Sequence, residues 1–236
     1  MSAVSIQQRL RSLASPTIAE HSLRFFKTGK GEYGEGDQFL GLRVPALRAE
    51  VKRSHDEPLG EIQKILHSPY HEERLFALYV LVKKFGLARK DKEAQRKIYQ
   101  LYLESTLYIN NWDLVDSSAY QIIGGYLLDK SRKPLYRLAK SDGWWERRIS
   151  MIACFQFIRH NDLDDALELS KQFLLDEHDL MHKAVGWMLR EVGKRDESRE
   201  LQFLDQYYTV MPRTMLRYAI EKFSPEVRAS FLSGTR

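Results

Sequence analysis

The stretch Glu73-Arg74-Leu75-Phe76-Ala77-Leu78-Tyr79-Val80-Leu81-Val82 sets the fold class. Leu75, Leu78, Tyr79 and Val82 recur at intervals of three and four, the spacing of one helix face. The same spacing returns at Ile149, Ile152, Ala153 and Phe157. From Pro58 onward the pattern is helical throughout, and no strand alternation with hairpin turns interrupts it. Helix breaks are predicted at Pro69, Lys90–Lys92, Lys130–Pro134, Asp142–Gly143, Asn161–Asp164 and Gly193–Glu197. An all-α fold follows.

Upstream, a helical region over about Ser5–Phe26, broken at Pro16, precedes a glycine-rich loop, Lys27–Leu42, and a helix over about Pro45–Arg53. The loop holds Gly29, Gly31, Gly34, Gly36 and Gly41. It lacks the GK[ST] ending and preceding strand of a phosphate loop. A loose repeat runs through the rest. Charged or aromatic pairs at Glu73-Arg74, Trp112-Asp113, Arg147-Arg148 and His182-Lys183 each open an apolar helix. Their spacing of about 35 to 40 residues is near that of HEAT-like helix pairs. The expected architecture is a HEAT-like α-α superhelix, a solenoid with a concave groove, as one domain over 1–236. A plain helical bundle is the alternative.

Composition narrows the class. The chain has 236 residues, 43% hydrophobic and 29% charged, which fits a soluble globular protein rather than a disordered one. No apolar run approaches the roughly 18 residues of a membrane helix; Ile122–Leu128 is short and contains glycines. Met1–Leu13 lacks the basic-then-apolar order of a secretory signal. Cys154 is the single cysteine, so no intrachain disulfide forms and a cytoplasmic, reducing location is expected. Its apolar setting in Ile152–Phe157 reads as a buried structural thiol. The net charge of +5 and pI of about 9.1 permit nucleic-acid binding without requiring it. Basic residues are scattered, with no polybasic tail.

Three constellations carry candidate chemistry. In Asn110-Asn111-Trp112-Asp113-Leu114-Val115-Asp116, either asparagine suits an N-cap, and Trp112 and Asp116 share a helix face. In Trp144-Trp145-Glu146-Arg147-Arg148, Trp145 and Arg148 are three apart, placing a guanidinium beside an indole. In His182–Glu191, Lys183, Trp187 and either Arg190 or Glu191 fall on one face. Gly186 inside that helix costs about 1 kcal/mol relative to alanine, which points to close backbone packing. Each constellation also has a plain reading: core tryptophans, a surface arginine over an apolar seam, helix-terminal acids. In a solenoid the three helices line the concave wall, so Trp112, Trp145 and Trp187 would converge with Asp116, Arg148, Lys183 and Arg190, a surface suited to a polyanion. His67 and His71 are separated by Pro69, and there is no CxxC, HExxH or GxSxG motif. No metal site and no cofactor are expected.

A resemblance takes the reading further. Phe39-Leu40-Gly41-Leu42-Arg43-Val44-Pro45-Ala46-Leu47-Arg48 resembles the FLG-[ILV]-x-x-P-x-x-R motif of AlkD-type DNA alkylation-repair glycosylases. Trp112–Asp116 is similar to their WDxVD, and Trp145–Arg148 to their W-x-x-R. Lys183–Glu191 is similar to their KAIGWxLRE, and Met211–Glu221 to their MPRTxLRYAIE. The motifs come in the family's order over about Phe39–Glu221. The resemblance implies a HEAT-like solenoid that holds duplex DNA and removes alkylated bases. It implies Asp116 as the catalytic carboxylate, Trp112 and Trp187 against the sugar, and Arg148 on backbone phosphate. Asn111 stands where some relatives carry a second tryptophan. The expected reaction is hydrolysis of the N-glycosidic bond of cationic purines, 3-methyladenine and 7-methylguanine, by a monomer. Related proteins with weak or no activity keep a second class open, a non-catalytic DNA- or protein-binding adaptor.

Overall fold

Capping side chains and prolines set where many of the helices begin. The computed structural model describes residues 2–236 and divides them into two compact units, one ending at Ile122 and one beginning at Ile123. Among the described residues the structure is all-α, with a single isolated β-bridge between Gln38 and Tyr70.

The first unit holds α1 (Ala3–Ser12), α2 (Pro16–Phe25), α3 (Val44–Ser54), α4 (Leu59–Leu66), α5 (His71–Leu87), α6 (Lys92–Glu104) and α7 (Trp112–Asp116). Pro16 and Pro45 stand at the starts of α2 and α3, where a missing N–H costs nothing. Asp91 caps α6 by accepting from the Ala94 N–H. Pro69 separates α4 from α5, as its sequence position predicts.

Helix α5 is the hub of this unit and packs against α3, α4, α6 and α7. Its first eight residues, His71–Leu78, are all buried, so one apolar stripe understates its burial. Of the predicted face, Leu75 and Leu78 are core, whereas Tyr79 and Val82 are half-buried and line a cleft.

The charged opening of α5 is also internal. Glu73, with no exposure, accepts from Gln7 Nε2 at 2.7 Å, Arg11 Nε at 2.7 Å and Ser68 Oγ at 2.6 Å. Glu72 accepts from the backbone N–H groups of Leu40, Gly41 and Leu42 at 2.9, 2.8 and 3.1 Å. The glycine-rich loop is thus tied to α5 by a carboxylate. Gly41 has φ +78°, and a Cβ there would lie 2.1 Å from the Ser15 carbonyl oxygen, so only glycine fits.

The second unit holds α8 (Gly125–Leu127), α9 (Lys133–Ala139), α10 (Trp144–Ile158), α11 (Asp164–Gln172), α12 (Asp179–Gly193), α13 (Glu197–Tyr207), α14 (Arg213–Ala219) and α15 (Pro225–Ser233). Helices α10, α12 and α14 pack in a row, with α9 and α11 against α10 and α11 and α13 against α12. This pairwise stacking is the HEAT-like arrangement. Ile149, Ile152, Ala153 and Phe157 are fully buried, as the spacing predicts. Cys154 lies among them, and burial pushes its thiol well above the usual range, which makes it unreactive.

Among the described residues, no helix is long and apolar enough to cross a membrane, and no cluster of side chains suits a metal ion.

A tight helix contact in the second unit lies at Gly186. A Cβ there would meet the Met215 carbonyl oxygen at 2.4 Å and the Tyr218 Cβ at 2.5 Å. Gly186→Ala is therefore expected to destabilise the protein by about 1–3 kcal/mol despite alanine's better helix propensity. Urea unfolding of parent and variant measures it; equal or greater stability in the variant would refute the close approach.

Candidate active site

The short helix α7 owes its position to one buried side chain. Asn111, with no exposure, accepts from the Trp112 N–H through Oδ1 at 2.8 Å and donates from Nδ2 to Asp37 Oδ2 at 3.1 Å. Asn111, not Asn110, is therefore the N-cap. A second tryptophan at this position would have no carbonyl for the cap.

Asp37 in turn accepts from Arg74 Nη2 at 2.6 Å. His71 lies between two carboxylates, with Nδ1 3.3 Å from Asp37 Oδ2 and Nε2 2.8 Å from Asp113 Oδ2. Burial opposes the charge on His71, but the two carboxylates outweigh it and push its pKa up to about 9. Burial likewise works against the charge on Asp37. Its bonds to His71 and Asn111 and the charge of Arg74 hold it below the usual range.

Aromatic rings cover this network. Phe26 and Phe39 lie 4.7 and 4.8 Å from the His71 ring. Trp112 stacks on Phe26 at 5.6 Å and meets the edge of Phe25 at 6.0 Å. Trp112 is half-buried, so it is neither a full core residue nor a free surface ring.

One turn on, Asp116 lines a cleft of about 320 Å³. Arg48 comes from α3, Tyr79 and Lys83 from α5, and Ser117, Tyr120 and Gln121 from the chain after α7. Tyr120 opens a π-helical turn, Tyr120–Gly124, a local widening that often accompanies functional sites. The Arg48 guanidinium lies 5.6 Å from the centre of the Tyr79 ring. The Ser117 Oγ and Gln121 Oε1 atoms are buried and make no hydrogen bond within the protein. The chemical content is a carboxylate fixed on a capped helix, with phenol rings and two cations beside it. Such a group stabilises positive charge that develops next to it.

The second unit holds the remaining sequence candidates. Trp145 stacks on Trp144 at 3.6 Å, and Trp144 stacks on His178 at 4.6 Å. Arg148, read from the sequence as a phosphate ligand, is 4% exposed, and its Nη1 donates to the Leu180 carbonyl. It is thus a strut between α10 and α12. Along α12, Lys183 pairs with Asp179 at 2.8 Å and Arg190 pairs with Glu221. Trp187 Nε1 donates to Glu191 Oε1 at 3.1 Å, and its ring lies 5.7 Å from Phe155. Glu191 also accepts from Lys194, the C-cap of α12, at 2.6 Å, so it is an acceptor for two neighbouring side chains.

Arg48, Tyr79, Lys83, Ser117 and Gln121 are not among the site residues expected from the sequence. The available signals were the arginine closing the P-x-x-R motif and the helical spacing of Tyr79 and Lys83. The Asp37–His71–Asp113 network is equally unheralded, because its members are far apart in the chain.

An all-helical repeat fold with a carboxylate-bearing cleft defines the class. The sequence profile of the DNA alkylation repair enzyme family matches residues 6–223, and the chain belongs to that family, which supports a role in repair of alkylated DNA. A solved structure described as a predicted DNA alkylation repair enzyme from Enterococcus faecalis shares the fold. Its TM-score is 0.69 at 17% identity, over 90% of this chain and 97% of that one. No curated protein sequence matches this chain.

The His71 network makes stability depend on pH. Its folded pKa of about 9 exceeds its ordinary 6.5, so the stabilisation is fully present below about pH 6.5 and is lost as pH rises through about 9. His71→Gln should therefore cost most stability near pH 6 and much less near pH 10. Denaturant unfolding of both proteins across this range checks it; a pH-independent difference would show that the imidazolium charge contributes nothing.

Proposed function

We propose that this protein is a DNA glycosylase that hydrolyses the N-glycosidic bond of cationic alkylated purines, 3-methyladenine and 7-methylguanine, in duplex DNA. The observation that carries this reading is Asp116 on its asparagine-capped helix, lining a cleft with Tyr79, Tyr120, Arg48 and Lys83.

Breaking the bond builds positive charge on the sugar, an oxocarbenium-like state. The Asp116 carboxylate stabilises that charge and orients the attacking water. Trp112 packs on the sugar through its half-buried ring, whose negative face favours a cation. Trp187 has the same role in the second unit. Lys183 and Arg190 contribute positive charge for the DNA backbone, with Trp145 as an aromatic contact. Arg148 supports them by tying α10 to α12, the helix that carries both cations.

A cationic base departs as a neutral molecule and needs no proton donor. Uracil or hypoxanthine leaves as an anion unless an acid protonates it. Glu191, one turn from Trp187, accepts hydrogen bonds from Trp187 and Lys194 and suits no such role.

Purified protein should release 7-methylguanine from methylated duplex DNA and leave uracil and hypoxanthine duplexes intact. Asp116→Asn should slow release by about 10²–10³-fold while DNA affinity stays close to the parent's. Single-turnover assays with enzyme in excess measure both. Unchanged release in the variant, or comparable uracil excision, would remove Asp116 or the cationic-base mechanism. Binding without any release would favour the adaptor class.

A further inference from the structure

We infer that the Asp116 cleft is a seat for one DNA backbone phosphate, held by Arg48 of α3 and Lys83 of α5. This rests on the proposed DNA substrate and is independent of whether Asp116 is catalytic.

The charged residues lining the cleft are Arg48, Lys83 and Asp116, two cations and one anion. A net positive lining attracts an anionic phosphodiester. The cleft is also preorganised. The Arg48 guanidinium lies over the half-buried Tyr79 ring, which limits the rotamer freedom given up on binding. A guanidinium fork and an ammonium group together match the geometry of a phosphodiester.

Hydrogen bonding adds to this. Ser117 lines the same cleft, and its buried Oγ makes no bond within the protein. A serine hydroxyl donates to an anionic oxygen. Size is consistent too: a cleft of about 320 Å³ has room for a single sugar–phosphate unit. Phosphate held here also sets the sugar beside Asp116. The cations offset the repulsion between that carboxylate and the DNA backbone.

The test is binding of an undamaged DNA duplex by fluorescence anisotropy across a salt series. A cation that no longer neutralises its phosphate lowers the log–log salt slope by about 1. Arg48→Gln and Lys83→Gln are each expected to weaken binding and to lower the slope by about that amount. Arg48→Lys, which keeps the charge, should retain a slope near the parent's. Lys52→Gln, on an exposed position of α3 outside the cleft lining, should change it less. If the parent binds DNA with a steep slope and both cleft variants match it, the phosphate seat is overturned and the glycosylase reading survives. If the parent binds no duplex DNA, both fall.

Discussion

The Asp37 carboxylate is the constraint around which the first unit is organised. It is 8% exposed, and it gathers Arg74 and His71 from α5 and Asn111 from the cap of α7. Burying a carboxylate is costly unless its lone pairs are satisfied, and these three donors satisfy them. Removing one partner of such a buried set typically costs about 3–5 kcal/mol, because the other charges stay buried. The network also fixes the direction of α7. That helix is only one turn past its cap, too short to hold itself by helix propensity. Asp116 therefore lines its cleft because of a loop residue 79 positions earlier in the chain.

Much of what looks like surface chemistry in the motifs is internal. Glu72 closes the glycine-rich loop, Glu73 anchors α1, and Arg74 bonds the Ser68 and Pro69 carbonyls. Arg147 bonds Asp176 and the carbonyls of Ser141 and Asp142. Glycines contribute by the side chain they lack. A Cβ at Gly124 would lie 2.4 Å from the Ala153 carbonyl oxygen, and Gly186 lets α14 approach α12. The two C-terminal motifs, Lys183–Glu191 and Met211–Glu221, are halves of that one contact. The charged residues lining the cleft of the first unit are a small set, Arg48, Lys83 and Asp116.

Helix content, most of the breaks and the buried face of α10 were legible in the residues alone, because these follow from local spacing. A 3.6-residue period and a proline act over a few residues, wherever they occur. Local spacing also put Trp112 and Asp116 on one short helix and marked Gly186 as a close approach. Which charged residues are exposed was settled only by packing. Arg148 and Glu73 carry the same local signature as a surface residue, and their burial depends on Leu180, and on Gln7, Arg11 and Ser68. The cleft around Asp116 was illegible for the same reason: Arg48, Tyr79 and Gln121 share no local pattern. They meet because α3, α5 and the turn after α7 pack together, and that packing is set by a buried network whose members pair across tens of residues.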